Sequence, residues 1–311
     1  MPLPDPLNYY ATQSTYSSQV YARLQSPFSM ENILGSSLEM AMETCRNSFK
    51  WERWNCPNSD FILRRASQSL FMDPEDSYVN AITTAAVFYT ITKTCSSGII
   101  AECDTCSDNP YNTQCSDDPK TAEELLKKHI RIEYADDFFG KISKHNYQAI
   151  TNLFEKSLVK QCGCGIMASN GLCTKENCHQ VLKPFEDIAA DIRQMYEESI
   201  QLNNTPQNTR IMWENIPLDA LVYMRESPNY CEPDAVPHWN GMHGRQCSTV
   251  SNGNNLTKEE RSRCRHICQE CGHTIQSRNI ITENRCNCKL TWDFQFHCEM
   301  CVTVQKQYYC Y

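Results

Sequence analysis

This chain has few of the features that mark an enzyme or a membrane protein. Only ten of its 311 residues are glycine and eight are histidine. No Gly-rich phosphate loop, dinucleotide turn, G-x-S-x-G or H-E-x-x-H pattern occurs. The histidines lie scattered in loop-like segments, so neither a catalytic residue nor a cofactor is expected, and a secreted hydrolase survives only by elimination. Long apolar runs are missing too: the longest, Ala81 to Ile91, is short for a membrane span and broken by threonines, which reads as buried helix. Clustered Lys and Arg are also absent. Residues 1–205 carry 18 basic and 26 acidic side chains and residues 206–311 carry 11 of each, for a net charge of −8. An acidic first half argues against nucleic acid, heparan sulfate and anionic membranes, all of which favour clustered cations. A freely diffusing monomer is expected, with no membrane anchor, no nucleic-acid partner and weak or no heparan sulfate binding. The opening MPLPDPLNYYATQS has neither the basic nor the apolar region of a secretory leader, so the chain reads as already processed, and residues 1–28 as a flexible arm.

What the chain does have is cysteine. Ten of its twenty cysteines lie between Cys45 and Cys178 and ten between Cys231 and Cys310. Each half can pair within itself, which predicts two stapled domains in an oxidising, extracellular compartment. Sequons at Asn203 with Thr205 and at Asn255 with Thr257 are candidate glycosylation sites in a secreted protein. Cys268-x-x-Cys271 with His266 and His273, and Cys298-x-x-Cys301 with His297, have zinc-like spacings. Even cysteine halves fit disulfides better, so no metal is expected.

The expected fold class is α+β, a mostly helical N-terminal bundle followed by a small cysteine-rich β-hairpin domain. Apolar positions at three- and four-residue spacing predict helices from Met30 to Cys45, from Tyr78 to Thr94, near Thr121 to His129, and from about Lys144 to Lys160. A fifth begins after Pro184 and runs toward Ile200. The helical domain is bounded at 29–202, a polar linker at 203–212, and the second domain at 213–311, where LVYM, HTIQ, LTWDFQFH and VTVQKQYYC read as short strands.

Two stapled segments are the candidate sites. Cys162, Cys164, Cys173 and Cys178 enclose a short tip with an Asn-Gly turn signal and no acid, base or histidine, read as a contact loop or as a loop stapled for stability alone. Eight residues between the inner pair let the tip project roughly 13 Å. Its candidate contact residues are Met167, Ser169, Asn170 and Leu172. The second segment, CNCKLTWDFQFHCEMC at 286–301, frames a finger-like hairpin with Leu290, Trp292, Phe294 and Phe296 on one alternating face. Lys289 and Asp293 complete its candidate contact set, and an aromatic row at a tip suits a protein partner or packs on its own domain.

The motifs FKWERWNCP, AITTAAVFYTITKTCSSG, KHNYQA, LVYMRESPNYCE and RCNCKLTWDFQFHCEMC, with the terminal YYCY, resemble the Wnt family of secreted signalling proteins from about Cys45 to the C-terminus. The resemblance makes 162–178 the thumb loop and 286–301 the index finger, the two tips with which Wnts grip the cysteine-rich domain of a Frizzled receptor. It implies disulfides Cys45–Cys56, Cys95–Cys103, Cys106–Cys115, Cys162–Cys178 and Cys164–Cys173. In the second half it implies Cys231–Cys271, Cys247–Cys264, Cys268–Cys310, Cys286–Cys301 and Cys288–Cys298.

Two departures stand out. The family thumb reads C-H-G-x-S-G-S-C and carries a fatty chain on its first serine, whereas here Asn170 holds that position, Ser169 is one residue off, and the His-Gly is missing. Asn has no hydroxyl to esterify, so no lipidation is expected. The finger's adjacent cysteine pair is replaced by Asp293-Phe294. With the acidic balance and IMWENIPLDALVYM, these departures make the chain resemble an unacylated branch of the family, and that resemblance, not any residue, implies an output that restrains Toll/Dorsal (NF-κB-like) signalling in development or immunity. The alternative is a disulfide-rich extracellular antagonist that sequesters a receptor or ligand without signalling.

Overall fold

The computed structural model describes residues 30–56, 73–100, 102–103, 115–129, 137–167, 171, 173–202, 215–233, 239–251, 255–290 and 295–311. Contacts divide the chain into two compact units, Met1–Ser48 with Asn58–Ser227, and Phe49–Pro57 with Pro228–Tyr311. The expected arm at 1–28, the linker 203–212, Asn203 and Cys106 lie outside the described residues.

The first unit is helical. Its described elements are α1 (Met30–Ser48), α2 (Pro74–Ser96), α3 (Pro119–His129), α4 (Phe138–Lys156), hairpin strands β1 (Leu158–Met167) and β2 (Cys173–Leu182), α5 (Phe185–Glu197), and the short parallel pair β3 (Ile200–Gln201) and β4 (Val222–Tyr223). The central helix is α2, which packs against α1, α3, α4 and α5. Asp73 caps it by accepting from the Asp76 N–H at 2.9 Å, and Pro74 occupies its first turn, where no intrahelical donor is needed. Ala85, Ala86, Ile91 and Cys95 are fully buried, as a helix surrounded by others requires. Two of its threonines return their hydroxyls to the preceding turn, Thr92 to the Phe88 carbonyl at 2.8 Å and Thr90 to that of Ala86 at 2.8 Å, so these two donors are satisfied within the helix.

Helix α4 starts at Phe138 and ends at Lys156, earlier at both ends than the expected Lys144 to Lys160. Asp137 caps it from outside, accepting from the Gly140 N–H at 2.8 Å, and Leu158 already belongs to β1. The face of α4 that carries the KHNYQA motif grips the segment before Ser227. Asn146 donates to the Val222 carbonyl at 3.0 Å and accepts the Val222 N–H at 2.9 Å, and His145 Nε2 lies 3.0 Å from the Ala220 carbonyl. Ile142, Leu202 and Val222 form a buried cluster beneath them. Residues 215–227 therefore belong to the first unit, and the division falls at 227/228 rather than at the expected 213.

The second unit is a three-stranded antiparallel sheet in the order β5-β7-β6, from β5 (Gln246–Ser251), β6 (Ile275–Leu290) and β7 (Phe296–Cys310), with helix α6 (Lys258–Ile267) packed on β5. Strands dominate as expected, but they are far longer than the short runs read from the sequence. The helix was not expected. It is nucleated by a capping box in which Thr257 accepts from the Glu260 N–H at 3.2 Å and the Glu260 carboxylate accepts the Thr257 N–H at 2.7 Å. The core is small, with Trp239, Met242, Cys247, Cys264, Ile267 and Cys310 among its members, and disulfides supplement it. Cys231–Cys271 spans 40 residues and Cys268–Cys310 spans 42. Loop closure of that length restricts the unfolded chain by about 4 kcal/mol per bridge. Gly241 sits at φ +66°, where an added Cβ would lie 2.8 Å from the Cys231 carbonyl oxygen, so this turn requires glycine.

Phe49–Pro57 joins this unit through the R-W-N-C run. Arg53 donates to Glu270 at 2.6 Å and to the His266 carbonyl at 3.2 Å, while Trp54 is buried edge-on against Phe49 at 4.7 Å. With its amide turned to satisfy both ends, Asn55 accepts through its oxygen from Arg245 Nη1 at 2.9 Å and Nη2 at 3.1 Å. Arg245 also donates to the Lys50 carbonyl at 2.8 Å. Burial lowers the Arg245 pKa to about 10, still well above neutral, so the group stays cationic as it gathers these oxygens.

Candidate functional site

The thumb is the β1–β2 ribbon. Cys162 stands directly opposite Cys178 and is bridged to it across a Cα separation of 4.0 Å; Cys164 is bridged to Cys173 at 5.6 Å. These four cysteines are exposed, so the outer ribbon has no core of its own. An isolated two-stranded ribbon is marginal in water, and here covalent bonds hold its register. The pairing slips between Cys164 and Met167, which bends the ribbon as it enters the tip. Met167 closes the pairing opposite Cys173. Ser169, Asn170 and Leu172 lie outside the described residues.

The base of the thumb is anchored by one carboxylate. Asp117 accepts the Leu182 N–H at 2.7 Å, donates its own N–H to the Gln180 carbonyl at 2.8 Å, and pairs with Lys93 of α2. Its side chain is 2% exposed, so the ammonium and the amide together compensate a buried charge. Leu182 is itself buried, and the Lys183 N–H donates to the Ser157 carbonyl at 3.0 Å, closing the ribbon's foot.

The finger is the outer part of β6 and β7. Cys286–Cys301 and Cys288–Cys298 staple it, and the ladder slips between Cys286 and Lys289, where Asn287 adopts a positive φ of 48°. Beyond that irregularity Lys289 faces His297 and Leu290 faces Phe296, so the last two pairs bring three of the expected contact positions to the mouth of the tip. Lys289 is exposed and Phe296 is 73% exposed. Trp292, Asp293 and Phe294 lie outside the described residues.

Sequence reasoning missed the stem below this tip. Met300, Val302 and Val304 alternate along β7 with Phe296, and Ile281 of β6 is registered opposite Val304. They are 60%, 60%, 42% and, for Ile281, 66% exposed. The signal was present in FHCEMCVTV, whose even positions are apolar or cysteine, but an alternating strand is ordinarily read as having that face buried.

The zinc-like spacings are consumed by sulfur chemistry. Cys268 is bonded to Cys310, Cys271 to Cys231, Cys298 to Cys288 and Cys301 to Cys286, which leaves no thiolate at either C-x-x-C. The group Cys162, Glu176 and Cys178 is likewise no ligand set, because its two sulfurs are bonded to each other. Cys95–Cys103 and Cys247–Cys264 are closed, and Cys45, Cys56 and Cys115 are also disulfide-bonded.

A helical unit bearing a stapled ribbon, and a cysteine-rich sheet whose two long strands extend into a second stapled ribbon, define a Wnt-type signalling ligand. The chain belongs to the Wnt family, whose model matches residues 12–311. It is 42% identical to the Wnt inhibitor of Dorsal protein of Drosophila melanogaster over 99% of this chain and 94% of that one. It is 29% identical to Protein Wnt-8a of Danio rerio over 88% of this chain and 80% of that one. The crystal structure of the Drosophila WntD N-terminal domain-linker matches 66% of this chain and all of that one, with a TM-score of 0.54 and 41% identity. WNT8A in its human complex with WLS shares the fold, with a TM-score of 0.67 over 95% of this chain and 99% of that chain at 23% identity. No helix among the described residues is long and apolar enough to cross a membrane.

Proposed function

We propose that this chain is a secreted, non-acylated Wnt ligand that binds the cysteine-rich domain of a Frizzled-type receptor through its finger, with the stapled thumb as a second contact. The observation that carries the reading is the combination of a retained thumb staple with a lost acceptor. Both thumb bridges close on the ribbon, yet Asn170 occupies the position three before Cys173 where the family esterifies serine. A long acyl chain contributes about 0.8 kcal/mol for each CH₂ it buries, so its loss moves affinity onto protein side chains. The finger supplies them, with Lys289, Leu290 and Phe296 in its last ladder pairs and Trp292, Asp293 and Phe294 between them in sequence.

The name of the Drosophila relative supports an output that restrains Dorsal-type, NF-κB-like signalling downstream of Toll. Exposed Asn255, two residues before the cap of α6, is the proposed glycan acceptor on the second unit.

Peptide mass spectrometry of the secreted protein, under non-reducing conditions, tests the reading at residues 162–178. The expected peptide carries two bridges and no added mass. A fatty acyl increment on Ser169 would restore the ordinary acyl-in-groove mechanism and sink the proposal.

A further inference from the structure

The finger is amphipathic although neither of its faces is buried. On one face lie Phe296, Met300, Val302 and Val304 of β7, with Ile281 of β6 opposite Val304. On the other lie His297, Glu299 and Thr303, with Thr282 opposite Thr303. All five apolar side chains are 42 to 73% exposed. An alternating strand normally hides its apolar face in its own core; among the described residues this ribbon has none beneath it. The five together present roughly 500 Å² of apolar surface, the size of the largest patch on a typical soluble monomer, which is often functional.

We infer that this stem face is a receptor-binding surface, on which the same cysteine-rich domain that takes the finger tip lies along the ribbon from Phe296 toward Val304. The inference rests on the receptor reading above and extends it. Two observations select this occupant. The ridge is continuous with the mouth of the tip along β7, since Phe296 shares that strand's even positions with Met300, Val302 and Val304, and the extra residue of the slip between Cys286 and Lys289 lies on β6. Area supplies the second argument. A specific complex buries about 800 Å² on each partner, so a ridge of roughly 500 Å² supplies a large part of one partner's share. Apolar side chains here replace the contact area that an acyl chain would otherwise provide. Glu283, opposite Val302, and Arg285, opposite Met300, edge the ridge with one charge of each sign. That gives it the polar rim of a protein interface rather than the uniformly basic border of a lipid-binding one.

The experiment measures affinity for immobilised Frizzled-type cysteine-rich domains, using the full secreted chain, with light scattering to give its mass in solution. Three variants are compared: Phe294→Asp at the tip, Met300→Glu with Val302→Glu on the ridge, and Thr303→Glu on the opposite face of the same strand. The expected result is a monomer whose affinity falls at least tenfold with the tip and ridge variants and stays within twofold for Thr303→Glu. If the tip variant loses binding and the ridge variant does not, the stem proposal is overturned while the receptor reading stands. Equal losses from ridge and Thr303→Glu would reflect damage to the strand and likewise overturn it. A wild-type dimer that the ridge variant dissociates would assign the face to a second copy instead. Absence of binding by the unmodified chain overturns both the receptor reading and its extension.

Discussion

Asn146 satisfies both hydrogen-bonding groups of a single buried residue, donating to the Val222 carbonyl at 3.0 Å and accepting its N–H at 2.9 Å. The two bonds are not equally vulnerable. Ser77 Oγ also donates to the Val222 carbonyl, at 2.9 Å, whereas the N–H has Asn146 as its recorded acceptor. Asn146→Ala therefore orphans one buried donor and should cost about 1–3 kcal/mol in chemical denaturation. Asn146→Asp keeps the acceptor but turns an anion toward a carbonyl, and should cost at least as much. A variant as stable as the parent would show that 215–227 does not depend on this latch.

Asp117 holds the foot of the thumb. Asp117→Ala removes the acceptor for Leu182 N–H and the partner of Lys93, and should cost about 2–3 kcal/mol. Asp117→Asn retains an acceptor and should cost less. Hydrogen exchange reads the local effect, with amides near Leu182 expected to exchange faster in the alanine variant while α5 is unchanged.

The pH dependence of stability contains a contribution from His145. Burial holds its imidazole below the ordinary value of 6.5, opposed by the Ala220 carbonyl. The folded state thus prefers neutral histidine. Its contribution is fully present above pH 6.5 and is lost as the pH falls from there through the depressed folded value. Between pH 7 and 5 the unfolding midpoint should drop, and His145→Gln should reduce that slope. An unchanged slope would remove His145 from the account.

Thr257 has two roles in this account, as the hydroxyl of the Asn255 sequon and as the cap of α6. Thr257→Ser should preserve glycan and helix. Thr257→Ala should abolish the glycan mass removed by an N-glycosidase and also cost about 1 kcal/mol of stability. Asn255→Gln should remove the glycan alone. A secreted parent that shows no N-glycosidase shift would refute the site.

Much of this architecture was legible because its signals are local. The buried surface of α2, the five described helices of the first unit and the stapled ribbons all announce themselves by periodicity or cysteine spacing. Thr257 and Glu260 also spelled a capping box, yet α6 was overlooked: its charged run, KEERSRCRHI, buries only Cys264 and Ile267 and so lacks an apolar stripe. Disulfides and the cap replace that stripe. The unit boundary was illegible for the opposite reason, since polar 203–212 looks like a linker while the contacts that hold Val222 to Asn146 span 76 residues. The ridge from Phe296 to Val304 shows a third limit. Alternation reveals which residues share a face, but the exposure of that face among the described residues is a property of the folded chain.

The central claim is that an unacylated Wnt chain engages a Frizzled-type receptor by protein contacts of its finger. The most direct measurement is equilibrium binding of the secreted protein, first verified to carry no acyl mass, to isolated Frizzled-type cysteine-rich domains, beside its Phe294→Asp variant. The account predicts saturable binding by the unmodified chain and a loss of at least tenfold on reversing the character of that one tip residue. Equal affinity of the two proteins, or binding that appears only when an acyl chain is attached, would contradict it.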